Sequence, residues 1–200
     1  LSEDKRIIKT KNNLKHTLIG MLSHKSFEKI TIKKLCETSN TSRVTFYAHY
    51  RDKYDHIDDI SKDMIKIAQD EYKRLQEENN FQKDPISSYC NFLDCILNMY
   101  YKNLRFFSHA SPYENPYLNF SFYRYMLQYL EIHTEKRSTA LKPRYDTKKI
   151  VAFLCHGLWG FINECQAEKC PAEKVKRETR KILQDIMSSE ILTENNTLIT

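Results

Sequence analysis

Glycine is almost absent from this chain. Only Gly20, Gly157 and Gly160 occur in 200 residues, and no long stretch alternates β-branched with polar side chains, so both the turns and the two-residue period of a sheet are missing. Apolar residues recur instead at three- and four-residue intervals. The chain therefore reads as all-α. With 40% hydrophobic residues it can form one ordinary globular body with room for a small second domain.

Charge is unevenly placed. Residues 5–53 carry 12 Lys and Arg against 3 Asp and Glu, a surplus of +9, which leaves −3 of the whole chain's +6 for the rest. A basic end of this kind suits a polyanion, either nucleic acid or an anionic membrane. No apolar run of about 18 residues follows the charged start LSEDKRIIKTKNNLKH, so neither a membrane span nor a signal peptide is expected, and the expected location is the cytoplasm with no membrane partner. Six cysteines stand mostly at apolar helical positions without a C-x-x-C pair, the pattern of reduced, buried thiols, so no metal and no cofactor are expected. There is no glycine-rich phosphate loop, no G-x-S-x-G and no H-E-x-x-H, and an enzyme is not expected.

Ile7, Leu14, Leu18, Met21 and Leu22 mark an amphipathic first helix to about His24. Thr31 can cap a second, short helix, IKKLCETS, with Ile30 and Leu35 in the hydrophobic-staple positions. Asn40 then stands where the chain must turn, and Asn tolerates the left-handed conformation. Thr41 or Ser42 caps a third helix, on which Phe46 and Tyr50 can pack onto Leu35 and Cys36 while Arg43, Val44, Thr45, Tyr47 and His49 point outward. Two short helices after a longer one, in the +9 region, make a helix-turn-helix pattern. Arg43 suits guanine N7 and O6, Val44 and the Thr45 methyl suit a thymine methyl, and Tyr47 and His49 can donate to phosphate. Asp52 caps a fourth helix whose first turn offers Lys53 to another phosphate.

The segment TIKKLCETSNTSRVTFYAHYRDKYDHI resembles the DNA-binding domain of the TetR/AcrR transcriptional regulators, with Thr45, Phe46, Tyr47, His49, Tyr50 and Lys53 in register over roughly residues 5–60. Asn40 and Thr41 depart from the family's usual glycine and small apolar residue, which implies a slightly looser turn. The resemblance implies DNA contacts for Lys33, Arg43, Thr45, Tyr47, His49 and Lys53. Thr31, Ser42 and Val44 complete the candidate set, and Arg43 is the expected base reader. It further implies a homodimer that binds a palindromic duplex operator, acts as a repressor and is released by a small apolar or aromatic effector. The competing reading is a co-activator of the same fold that works through protein contacts without an operator.

The expected domains are 1–53 for DNA binding, 54–190 for regulation and dimerisation, and a polar tail at 191–200. A long helix from Tyr54 to Glu78, with Ile57, Ile60, Met64 and Ile67 inward, leaves the basic head. Asp84 and Pro85 restart a helix that runs on towards Pro112, and Leu118 to Ile132 form another with an aromatic face. Tyr89, Phe92, Leu93, Ile96, Tyr100, Phe122, Tyr125, Met126, Tyr129 and Trp159 are candidate walls of an effector pocket. The helix from Asp146 to Gln166 is apolar around much of its circumference and needs cover on more than one side. FLCHGLWGFINEC resembles the dimer helix of a Firmicutes-type branch of the same family. Phe153, Leu154, Gly157, Leu158, Gly160 and Phe161, with Val175, Thr179, Ile182, Leu183 and Ile186 of the last helix, are the candidate dimer face, a four-helix bundle with a second copy.

Overall fold

A computed structural model describes residues 5–107, 116–135 and 145–189, and among these every regular element is helical. The elements are α1 Lys5–Leu22, a 3₁₀ turn Phe27–Lys29, α2 Ile32–Thr38, α3 Arg43–His49, α4 Lys53–Asn79, α5 Pro85–Lys102, α6 Leu104–Phe107, α7 Pro116–Glu135, α8 Thr147–Ala167 and α9 Ala172–Met187. The tail expected at 191–200 lies outside the described residues. The chain forms two compact units, Leu1–Ile65 with Lys102–Tyr123, and Lys66–Tyr101 with Arg124–Thr200. The first unit thus runs 12 residues beyond position 53 and takes in a later segment; α4 and α7 are each continuous from one unit to the other.

In the first unit, Leu14, Leu18 and Leu22 of α1 are fully buried with Phe27, Leu35, Phe46 and Ile57. A charged knot ties α1 to α4: Lys15 Nζ lies 2.9 Å from Asp59 and 2.5 Å from Asp63, and the Tyr50 hydroxyl donates to Asp59 at 2.9 Å. The later segment adds aromatic cover. Phe106 and Phe107 are buried, the Tyr117 ring stacks on Phe27 at 6.0 Å and meets Tyr54 edge-on at 4.6 Å, and Ser121 donates to Asp58 at 2.6 Å.

The helix expected to run unbroken from Asp84 stops at Lys102. The carbonyl of Asn103 accepts from Phe106 at 2.9 Å and from Phe107 at 3.3 Å, which starts a new turn, and the aromatic side chains beyond it join the first unit. Ile67, expected inward, is 60% exposed; Met64, Ile65, Ala68 and Tyr72 form the buried stripe of α4 there.

In the second unit the α4–α5 hairpin closes on Asn80, whose Oδ1 accepts the Asp84 N–H at 2.9 Å and whose amide reaches Gln76 and Ser88, both at 2.8 Å. Asp84 caps α5 by accepting from the Ser87 N–H at 2.7 Å, with Pro85 as first helical residue, as the sequence order predicts. On α9 the buried stripe is Val175, Thr179, Leu183 and Met187, and Arg180 pairs with Asp94 of α5.

Candidate nucleic-acid interface and an apolar cavity

The helix-turn-helix is built from local bonds that the sequence predicts. Thr31 Oγ1 accepts from the Lys34 N–H at 3.2 Å and Ser42 Oγ from the Thr45 N–H at 3.0 Å, so both short helices are capped at their starts. Between them Asn40 has φ 51°. The Asn40 N–H donates to the Glu37 carbonyl at 3.3 Å and the Thr41 N–H to the Cys36 carbonyl at 2.9 Å, the paired closure of a Schellman motif. Asn13 of α1 adds a bond to the Ser39 carbonyl at 2.7 Å. The turn is therefore tight, not loose: an Asn in the left-handed conformation closes it with both bonds a glycine would permit.

Below α3 the packing is filled. Phe46 and Tyr50 are buried, and their rings meet His56 of α4 at 5.8 and 4.4 Å. His56 is fully buried, and neither ring nitrogen has a hydrogen-bond partner. Burial, with a smaller push from Lys15, drives its pKa down to about 4 against the pull of Asp59 and Asp55. Burial alone would raise the Asp59 carboxyl, but the Lys15 ammonium and the Tyr50 hydroxyl outweigh it and hold the carboxyl below its ordinary range.

Above α3 the side chains face solvent. Arg43 is exposed, Val44 is 81% exposed and Tyr47 49% exposed, while Thr45 and His49 are half-buried. The Thr45 hydroxyl is engaged at 2.8 Å with that of Ser42. A shallow recess lined by Lys33, Glu37, Asn40, Thr41, Ser42 and Arg43 lies at the turn. An exposed valine side chain leaves apolar area in water that a thymine methyl could cover, and an exposed guanidinium beside it can reach a base edge.

Lys53 has partners within its own chain. Its ammonium donates to the carbonyls of Phe27, Glu28 and Ile30 at 3.0, 3.2 and 3.3 Å and lies 4.6 Å from the Phe27 ring centre. An ammonium has three donors and here has three carbonyl acceptors, so Lys53 staples the 3₁₀ turn to α4 instead of standing free for a phosphate. Lys11 and Lys15 are likewise drawn to Asp59. The cations left exposed between 5 and 53 include Lys5, Arg6, Lys9, Lys25, Lys29, Lys33, Lys34 and Arg43.

The second unit holds an apolar cavity of about 60 Å³. Tyr89, Phe92, Leu93, Ile96, Met126 and Trp159, all expected there, line it. Tyr100 stands behind this wall, edge-on to Trp159 at 5.6 Å, and Tyr125 is not part of the lining. The side chains of Phe122 and Tyr129 lie outside the described residues. Sequence reasoning missed Leu130, Val151, Leu154, Cys155, Leu158, Ile162 and Leu183. The signal was present in the apolar circumference of α8, which has one face to offer the cavity and another to cover elsewhere.

That assignment narrows the candidate dimer face. Leu154, Leu158 and Leu183 face the cavity, and Val175 and Thr179 are buried within the unit, the Thr179 hydroxyl returning to the Val175 carbonyl at 2.7 Å. Phe161, Ile182 and Ile186 are half-buried. Phe153 is 68% exposed, and a Cβ built on Gly157 or Gly160 meets nothing within 4 Å. Among the described residues no helix is long and apolar enough to cross a membrane, and no three His, Cys, Asp or Glu side chains are grouped to hold a metal ion.

No protein-family model and no curated protein sequence matches the chain. Solved structures do. A TetR-family transcriptional regulator from Syntrophomonas wolfei superposes with TM-score 0.65 at 12% identity, covering 90% of this chain and 96% of its own. A transcriptional regulator of the TetR/AcrR family from Aquifex aeolicus superposes with TM-score 0.53 at 17% identity, covering 88% and 99%. A capped, Schellman-closed helix-turn-helix followed by a helical unit with an internal cavity is, in this chain, the all-α fold of the TetR/AcrR transcriptional regulators.

Proposed function

We propose that this chain is a cytoplasmic TetR/AcrR-type transcriptional regulator, a homodimer that binds a palindromic DNA operator as a repressor and releases it when a small apolar molecule fills the cavity. The observation that carries the reading is the outward face of α3: Arg43, Val44 and Tyr47 stand in solvent on a helix held from below by Phe46 and Tyr50. The rest of the interface comprises Lys33, the half-buried Thr45 and His49, and the capping residues Thr31 and Ser42. Lys53 acts from behind, by positioning the turn. The bare strip Phe153, Gly157 and Gly160 on α8 supports close approach of a second copy there.

Selection of duplexes from a random library tests the reading. The expected product is a two-fold symmetric site whose affinity falls steeply with salt. Arg43→Ala should weaken binding by about 1–3 kcal/mol and relax preference at one base pair per half-site. Gly157→Leu should give monomer and weak operator binding, because the new side chain would meet the partner and nothing in its own chain. Absence of salt-sensitive duplex binding sinks the operator reading in favour of a co-activator that works through protein contacts.

A further inference from the structure

The α8–α9 corner carries an assembly that operator binding does not use. Past the end of α8, Lys169 takes φ 56°. The Lys169 N–H donates to the Gln166 carbonyl at 3.1 Å and the Cys170 N–H to the Cys165 carbonyl at 2.8 Å. This is the same paired closure that joins α2 to α3, and its geometry brings together the side chains two residues beyond the cap and three before it, a place normally taken by an apolar contact. Here both are cysteines. Cys165 is buried and Cys170 is half-exposed, and the Cys170 thiol is near enough to help hold the Cys165 pKa up. The Cys170 thiol also faces the Glu168 carboxylate at 3.8 Å. The other four cysteines are all buried.

We propose that Cys165 and Cys170 form a reversible dithiol–disulfide pair, a redox modification site that closes the α8–α9 turn covalently and takes small-molecule disulfides as oxidant. Thiols that so short a closure sets side by side need only side-chain rotation to approach the ~2.05 Å of a disulfide bond. Cys170, the accessible thiol, loses its proton to solvent and attacks one sulfur of the small disulfide; that S–S bond breaks and one thiolate leaves, taking a proton. Cys165 then loses its proton, attacks the Cys170 sulfur of the mixed disulfide and expels the second thiolate. Two protein thiols and one small disulfide become one protein disulfide and two small thiols, and two electrons pass from the protein to the oxidant. The order follows from burial, which pushes the Cys165 thiol up, as does its neighbour Cys170; Cys165 is a poor first nucleophile and a well-placed second one.

The full chain equilibrated in glutathione redox buffers provides the test. Acid quenching, blocking of remaining thiols and intact mass measurement should find two of the six thiols lost together, with no lasting glutathione adduct. The oxidised-to-reduced ratio should change tenfold for about 30 mV of buffer potential, as a two-electron couple requires. Trypsin cuts after Lys169, so the bond should appear as two peptides joined through Cys165 and Cys170, and dithiothreitol should separate them. Cys165→Ser should accumulate a glutathione adduct on Cys170, and Cys170→Ser should stay unmodified. A stable adduct on Cys170 in the unaltered chain, or a bond that maps to other cysteines or joins two chains, overturns the proposal; that mapping needs neither variant to fold and no operator to be known.

Discussion

Beneath α3 the structure is filled, and behind α8 it is not. In the first unit Phe46, Tyr50 and His56 press ring against ring, with Lys15, Asp59 and Lys53 fastening the helices around them. In the second, α5, α7, α8 and α9 leave an apolar space lined by aliphatic and aromatic side chains. In the function proposed above, the two units use the same helical material for different ends. A reading surface needs one fixed geometry, which close packing and directional bonds enforce, whereas a surface that responds to a guest needs a space whose filling changes the balance between conformations.

The sharpest test removes a large apolar side chain from each place. Phe46→Ala should cost about 3–5 kcal/mol, whereas Ile96→Ala, in a wall that already borders a void, should cost about 2 kcal/mol. Equal losses in urea melts would erase the distinction between filled and open packing.

Acid should act on the first unit next. An unfolded imidazole takes its proton near pH 6.5, but the buried His56 does so only near 4, so between those values the unfolded state binds more protons. Stability is then fully present above pH 6.5, falls as pH drops, and by about pH 4 has lost roughly 3 kcal/mol. Asp59, with its lowered pKa, extends the loss to lower pH. Chemical melts at several pH values should show this slope, and His56→Leu should flatten it between 6.5 and 4.

Lys53→Met distinguishes a staple from a phosphate contact. Loss of three carbonyl bonds should cost about 1–3 kcal/mol of stability, while the salt dependence of duplex binding stays as in the parent. A slope reduced by about one would put Lys53 on the DNA after all.

The smallest effect belongs to the cavity. Leu93→Phe places extra volume where space exists, so stability should stay within about 1 kcal/mol of the parent, while thermal shifts caused by small apolar compounds disappear. A large loss of stability would mean that the space is too well packed to accept a guest.

Local bonding explains how much was legible beforehand. The caps at Thr31 and Asp84, the left-handed Asn40 and the inward pair Phe46 and Tyr50 all depend on neighbours within a few positions along the chain, so residue type and spacing were enough to find them, while the choice of Ser42 over Thr41 as the cap of α3 needed the structure. The candidate reading surface follows from the same pattern, because whatever a capped helix does not turn inward it presents outward.

Sequence by itself thus determined the all-α class, the turn between α2 and α3 and which side chains of α3 turn inward. Tertiary structure decided the rest. Lys53 finds its acceptors 23 to 26 positions away, and no spacing rule reports that a basic residue in register with a DNA-binding motif has already been claimed by carbonyls. On α8 the period marks apolar faces without saying which looks into a cavity and which stays bare, so Leu154 and Leu158 were separable from Phe153 only once α5 and α9 were in place. Likewise, Phe106, Phe107 and Tyr117 carry the same aromatic signal as Phe92 and Trp159, yet the break at Asn103 assigns them to another unit. A side chain's type limits what it can bond; which partner it meets depends on contacts between segments far apart in the chain, and those exist only in the folded molecule.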